Sequence, residues 1–245
     1  MTPEEKFIFD LQGYIILKGV LTPDEVSELN AIADEKFPRP QDEAPERTAP
    51  GVLPWGVPYQ NLLDHPRVLP YLAGILGTRF RLDHDYAIFM RKGSSRGPLH
   101  GGEWGMDDWN YQSKEGVIRS GLCALTYCLT PAKEGDGGFV CIPGSHKSGF
   151  LKAIPEDVRQ FRRSASYLVQ PPLEAGDAVL FTEALVHGTM PWQGDHERRI
   201  VIYKYNPGHC ASSTKYYDPE TMPALTERQR LLLAPPSLYG RREVV

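Results

Sequence analysis

From Arg79 onward the chain is a succession of short runs rich in Thr, Val, Tyr, Phe and Ile, each ended by glycine, proline or another turn residue. β-branched and aromatic side chains suit a pleated, half-buried surface, so this texture calls for many short strands. They are expected at 79–91, 118–129, 138–142, 166–169, 178–181 and 200–205. The first third reads differently. After a strand at 13–17, Thr22-Pro23-Asp24-Glu25 carries the marks of a helix start: threonine as N-cap, proline at the first position, glutamate closing a capping box. A second helix is expected at 66–76, stopped by Gly77, and a last one at 227–233. Helices first and strands afterwards predict a mainly β fold with flanking helices. The matching architecture is a double-stranded β-helix, a jelly-roll or cupin-like barrel buttressed on one side. No repeat or linker divides the chain, so 1–245 is expected to form a single domain of this kind.

Lysine plus arginine number 27 against 31 aspartates plus glutamates, a net charge of −4. Without a basic excess, a large nucleic-acid surface is excluded, whereas a small phosphorylated molecule needs only a few local cations. No run approaches the roughly 20 apolar residues of a membrane span. The start, Met1-Thr2-Pro3-Glu4-Glu5-Lys6, lacks the features of a signal peptide. The expectation is a cytosolic protein with a small-molecule partner and neither a nucleic-acid polymer nor a membrane. Cys123, Cys128, Cys141 and Cys210 have the wrong spacing for a zinc ribbon and read as reduced, mostly buried thiols. The oligomeric state is not encoded in any recognisable pattern.

Two of the seven histidines stand out by context. His100 ends a loop and precedes two glycines; His187 follows the strand at 178–181 and leads into Gly188-Thr189. Glycine beside histidine lets the backbone turn closely about whatever the imidazole holds. Further on, Arg198-Arg199 enters an apolar strand, and alternation allows only one of the two to face a barrel interior. A buried arginine without an anionic partner is very costly, so an inward one implies an acidic ligand. The residues alone leave open which arginine that is, or whether both lie outside with Asp195 and Glu197.

The order His100, Gly144-Ser145-His146, His187-Gly188-Thr189, Arg198 resembles the phytanoyl-CoA dioxygenase-like branch of the iron(II)- and 2-oxoglutarate-dependent enzymes. Asp136-Gly137-Gly138-Phe139 and Glu174-Ala175-Gly176-Asp177-Ala178 add to the resemblance, which spans about 13–207. It implies an oxidoreductase with iron(II), 2-oxoglutarate and dioxygen as cofactors. It implies iron on His100 and His187, the distal carboxylate of 2-oxoglutarate on Arg198, and Thr189 donating to the same cosubstrate. His146 is implied to be architectural.

One departure stands out. Such sites hold their metal with two histidines and one carboxylate, the carboxylate two residues after the first histidine. Here that position is Gly102. Three readings follow. Chloride enters the vacant position, as in halogenases that resemble this family, and chlorine is delivered to an unactivated carbon. Alternatively, Glu103 reaches the iron from a bulge and the enzyme is a hydroxylase. In the third, the chain survives as an inactive binding protein. The leading expectation is the halogenase, acting on a nucleoside or nucleotide such as deoxyadenosine monophosphate, with an amino acid or other secondary metabolite as the alternative. Trp104 and Trp109 offer stacking surfaces for a planar ring, Tyr59 and Gln60 an opposite wall, and Lys92, Arg96, Lys204 and Lys215 charges for a phosphate.

Overall fold

The protein is described from a computed structural model covering residues 1–39, 44–102 and 110–245. Helix α1 (Pro3–Gln12), strand β1 (Tyr14–Leu17) and helix α2 (Pro23–Lys36) come first. Both helices start from a threonine that accepts from a glutamate N–H three residues on, while that glutamate's side chain answers the threonine's own N–H. Strand β2 (Glu46–Pro50), helices α3 (Val57–Asn61) and α4 (Leu69–Leu76) and the long strand β3 (Phe80–Met90) follow. Proline occupies the first turn of α4, which therefore starts later than the expected 66, and left-handed Gly77 stops it.

The rest is mostly strand: β4 (Tyr111–Lys114), β5 (Val117–Ser120), β6 (Cys123–Cys128), β7 (Gly138–Cys141), the short helix α5 (Glu156–Arg159), β8 (Ala178–Thr182), β9 (His187–Met190) and β10 (Arg198–Pro207). Helix α6 (Glu227–Leu233) comes last and is again capped by a threonine. Three expectations are corrected. The run 118–129 breaks at Gly121-Leu122 into β5 and β6, and 166–169 contributes only a bridge from Val169 to Cys141. Helix α1 was not anticipated.

Six antiparallel strands form one sheet in the order β1-β8-β6-β10-β3-β2. A second layer pairs β7 with β9, extended by isolated bridges at His100–His187 and Cys141–Val169. The arrangement is that of an unclosed double-stranded β-helix. Period-two alternation divides the large sheet cleanly. Val201, Tyr203 and Tyr205 of β10 and Leu125 and Tyr127 of β6 face the helices. Ile200, Ile202, Ala124, Cys128, Val179 and Phe181 face inward and meet Phe139 and Cys141 of β7.

Tyrosine hydroxyls tie the helical layer to the sheet. Tyr127 donates to the Leu62 carbonyl at 2.7 Å, Tyr203 to that of Tyr59 at 2.6 Å and Tyr205 to that of Leu63 at 2.8 Å. Each brings a large apolar area and satisfies one backbone acceptor. Cys123, Cys128 and Cys141 are buried free thiols. Among the described residues, no helix is long and apolar enough to cross a membrane.

Candidate active site

His100 and His187 lie directly opposite one another in an antiparallel bridge, although they are 87 positions apart (187 − 100). Each backbone N–H donates to the other's carbonyl at 2.8 Å, so both side chains leave the same face. Their ring centroids are 4.3 Å apart. Gly101 permits this approach: a Cβ there would stand 2.2 Å from the Leu185 carbonyl oxygen.

Nδ1 of His187 lies 2.8 Å from the carbonyl oxygen of Leu185, and Nδ1 of His100 lies 3.1 Å from that of Pro98. A carbonyl can only accept, so Nδ1 carries the proton on each ring and Nε2 carries the lone pair. Metal-binding imidazoles are oriented in this way. Burial pushes His187 down to about 4, which keeps it neutral and available as a ligand.

Arg198 enters the same cavity. It is 3% exposed, its guanidinium donates to Met90 Sδ at 3.3 Å, and it meets no carboxylate among the described residues. Burial lowers its pKa to about 10, still well above neutrality, so a fixed cation stands beside Thr189 and His187 with no anion bonded to it among the described residues. Arg199 points the other way, to Asp34 at 2.7 Å and Glu197 at 2.8 Å. Alternation along β10 thus selects Arg198 as the inward arginine.

Lys204 lines the cavity and is paired with a buried carboxylate, Glu183. Glu183 is 1% exposed, and its Oε1 accepts from Lys204 Nζ at 2.7 Å. Its Oε2 lies 3.9 Å from His187 Nε2. Burial alone would raise the Glu183 carboxyl, but the hydrogen-bonded Lys204 ammonium outweighs it and holds it below its ordinary value. Lys204, expected from the sequence as a cation for a phosphate, shares the parity of Arg198 along β10 and lines the same cavity. Glu183 carries no such signal.

Gly102 adopts φ +60°, and a Cβ on it would stand 2.2 Å from Leu151 Cδ1 and 3.2 Å from the Ala184 carbonyl. Leu151 belongs to an outer apolar cluster with Leu99, Val158 and Val186, away from the cavity of the two histidines. A side chain at position 102 would therefore start toward that cluster.

Tyr59 and Gln60, expected to wall a substrate cavity, lie on the opposite face of the sheet. Tyr59 is fully buried in the helical core and donates to the Leu29 carbonyl at 2.9 Å, and the Gln60 carbonyl accepts from Gln229 at 3.1 Å. Both were drawn into the core by α2 and α6, whose packing the sequence did not reveal. Glu103, Trp104 and Trp109 lie outside the described residues. Lys92 sits on the outer surface with Asp195 at 2.8 Å.

Beside the histidine cavity, and sharing Tyr86 and Arg96 with it, opens a second cavity of about 720 Å³. His84, Tyr216, Tyr217, Ser212 and Lys215 line it, and the His84 ring stacks on Tyr86 at an interplanar angle of 12°. Of the four cations expected to serve a phosphate, Arg96 and Lys215 line this space.

A family model described as phytanoyl-CoA dioxygenase (PhyH) matches residues 9–200. No curated protein matches the chain by sequence. Among solved structures, HygX from Streptomyces hygroscopicus with nickel and 2-oxoglutarate bound aligns with a TM-score of 0.78 at 22% identity, over 91% of this chain and 93% of that one. HygX with nickel, 2-oxoglutarate and hygromycin B bound aligns at 0.76 and 24% identity, over 91% and 94%. The non-heme alpha ketoglutarate-dependent epimerase SnoN from nogalamycin biosynthesis aligns at 0.63 and 18% identity, over 84% of each chain. At these identities the likeness is one of fold.

Proposed function

We infer that this chain, which belongs to the phytanoyl-CoA dioxygenase family of iron- and 2-oxoglutarate-dependent enzymes, oxidises a small ring-containing metabolite at a metal held by His100 and His187. The observation that carries the reading is Arg198. A guanidinium this deeply buried and without a carboxylate partner among the described residues needs an anion. It stands in the same cavity as two imidazoles already in metal-binding tautomers. These groups fit iron and 2-oxoglutarate.

When bound, iron and 2-oxoglutarate together reduce dioxygen and supply an oxidising equivalent to a substrate C–H bond, leaving succinate and carbon dioxide. The protein's part is orientation and exclusion. His100 and His187 present Nε2 from one face, fixed by their Nδ1 hydrogen bonds. Arg198 grips the far carboxylate of 2-oxoglutarate as a rigid fork, and the Thr189 hydroxyl donates to the same molecule. Phe139, Phe181 and Ile200 give the cavity apolar walls.

The substrate occupies the adjoining 720 Å³ cavity, which is within the usual range for small-molecule sites. Tyrosine rings, hydroxyls, His84 and Lys215 suit a hydroxylated ring compound: a nucleoside, a nucleotide or a glycoside. Structures of this fold hold hygromycin B and nogalamycin RO, which supports a small-molecule substrate.

Chlorination is the second reading, and it rests on Gly102, which has no side chain to ligate. The experiment is an anaerobic titration with iron(II) and 2-oxoglutarate, followed by exposure to oxygen with candidate substrates at varied chloride. The reading expects a visible charge-transfer band on binding and succinate on turnover. Absence of both sinks it. A chlorinated product whose yield follows chloride concentration establishes the second reading over the first.

A further inference from the structure

We propose that Glu183 is the third protein ligand of this metal site, supplying the carboxylate that the His100-Gly101-Gly102 segment lacks, with Lys204 as its positioning partner. The proposal rests on the iron site inferred above and names what completes it.

The segment that lacks the carboxylate and the segment that carries a spare one run side by side. Residues 100–102 run alongside residues 183–187: His100 bridges His187, and the Gly102 N–H donates to the Glu183 carbonyl at 3.4 Å. The place from which the usual carboxylate is missing is therefore next to a glutamate that is 1% exposed. Glutamates are almost never so buried unless paired or metal-bound. One oxygen has its partner, Lys204 Nζ at 2.7 Å. The other, Oε2, stands 3.9 Å from His187 Nε2, the nitrogen on which the lone pair resides.

Distances decide whether the reach is sufficient. Two ligand atoms about 2.1 Å from one metal and at right angles are ~3 Å apart, so Oε2 at 3.9 Å needs to move by about 1 Å. As the side chains stand, no group of three His, Cys, Asp or Glu among the described residues is placed to hold a metal ion. The broad outer torsion of glutamate supplies the movement.

The backbone around Glu183 is fixed for the purpose. Its N–H donates to the Leu122 carbonyl at 2.9 Å, and a turn from Thr182 to Leu185 at 2.9 Å folds the chain back under His187. Thr182 is itself tied to Ser120 at 2.8 Å. Two histidines and one carboxylate then surround the metal, the donor set preferred by non-haem iron(II) oxygenases. The carboxylate comes from four residues before the second histidine rather than two after the first.

The test is cobalt(II) and anaerobic iron(II) affinity, read by titration calorimetry and by the visible spectrum of the cobalt-loaded protein. Glu183→Gln leaves Lys204 buried without its carboxylate, so the double variant Glu183→Gln/Lys204→Met, which removes both charges, is measured beside it. Expected is a loss of metal affinity of tenfold or more in the folded double variant relative to Lys204→Met alone, a changed cobalt spectrum, and near wild-type binding for Glu103→Gln. Wild-type affinity and spectrum in the folded double variant overturn the proposal, as does a comparable loss in Glu103→Gln with none in the double variant. If His100→Ala and His187→Ala also bind cobalt normally, the iron-site reading falls with it; if they do not, only the role of Glu183 is lost.

Discussion

Gly138 lies against the guanidinium of Arg198: a Cβ placed on that glycine would stand 2.8 Å from Arg198 Nε. Gly138 opens β7 at φ +84°, a conformation that also disfavours any side chain. Gly138→Ala will therefore push Arg198 out of line without removing its charge. The expected result is a KM for 2-oxoglutarate raised about tenfold, equivalent to ~1.4 kcal/mol, with a smaller effect on kcat. Succinate formation against 2-oxoglutarate concentration measures both.

Arg198 itself poses a conflict between stability and function. In the metal-free protein its buried charge has no counter-ion among the described residues. Arg198→Met keeps comparable bulk and removes that cost, so the apoprotein will gain stability, by about 2–4 °C in Tm for each kcal/mol in a chain of this length. The same variant will no longer bind 2-oxoglutarate. Calorimetric melting with and without the cosubstrate checks both halves, and a lowered apoprotein Tm contradicts the account.

Gly102→Asp tests the vacant position directly. The new side chain would start toward Leu151 from a backbone at φ +60°. It will cost on the order of 1–3 kcal/mol through overpacking and strain, and it will not strengthen iron binding. Urea denaturation measures the first effect, and calorimetric titration with metal the second. Tighter metal binding in this variant would show that position 102 faces the iron after all.

Acid stability has an identifiable source in His146. Its Nε2–H donates to the Asp10 carbonyl at 3.0 Å, its ring packs on Tyr111 with centroids 4.5 Å apart, and burial pushes its pKa down to about 4. Because the folded value lies below the ordinary one, the unfolded chain takes up the proton first. This contribution is complete above about pH 6.5 and declines as pH falls toward 4, by on the order of 3 kcal/mol. His146→Gln will flatten that decline in denaturant titrations of the metal-free protein. The slope that remains belongs in part to His187, also held near 4.

Much of the architecture could be read because it is written locally. Capping boxes at Thr22 and the stop at Gly77 are short-range chemistry, and so are the β-branched runs that became β3, β8 and β10. Asp136-Gly137-Gly138 was recognisable as a motif, but its contact with Arg198 belongs to the folded molecule. The choice between Arg198 and Arg199 needed the register of β10 against β3 and β6. Tyr59 misled because an aromatic beside a polar residue looks the same in a binding wall and in a core. Its hydroxyl is satisfied by Leu29, thirty positions away. Glu183 was invisible for the converse reason. Nothing in Thr182-Glu183-Ala184 indicates that the turn carries a carboxylate back beneath His187 and within reach of Lys204.

The pairing of His100 with His187 is an isolated bridge rather than a ladder, whereas β10 is zipped to β3 over ten residue pairs. Such a clasp opens far more readily than the sheet behind it, and local openings of this kind set the lowest rungs of a protein's hydrogen-exchange hierarchy. On the proposed reading, a metal shared by the two imidazoles would turn that opening from a fluctuation into a bond-breaking event. Such a metal would rivet the rim, and its release is expected to precede any melting of the sheet.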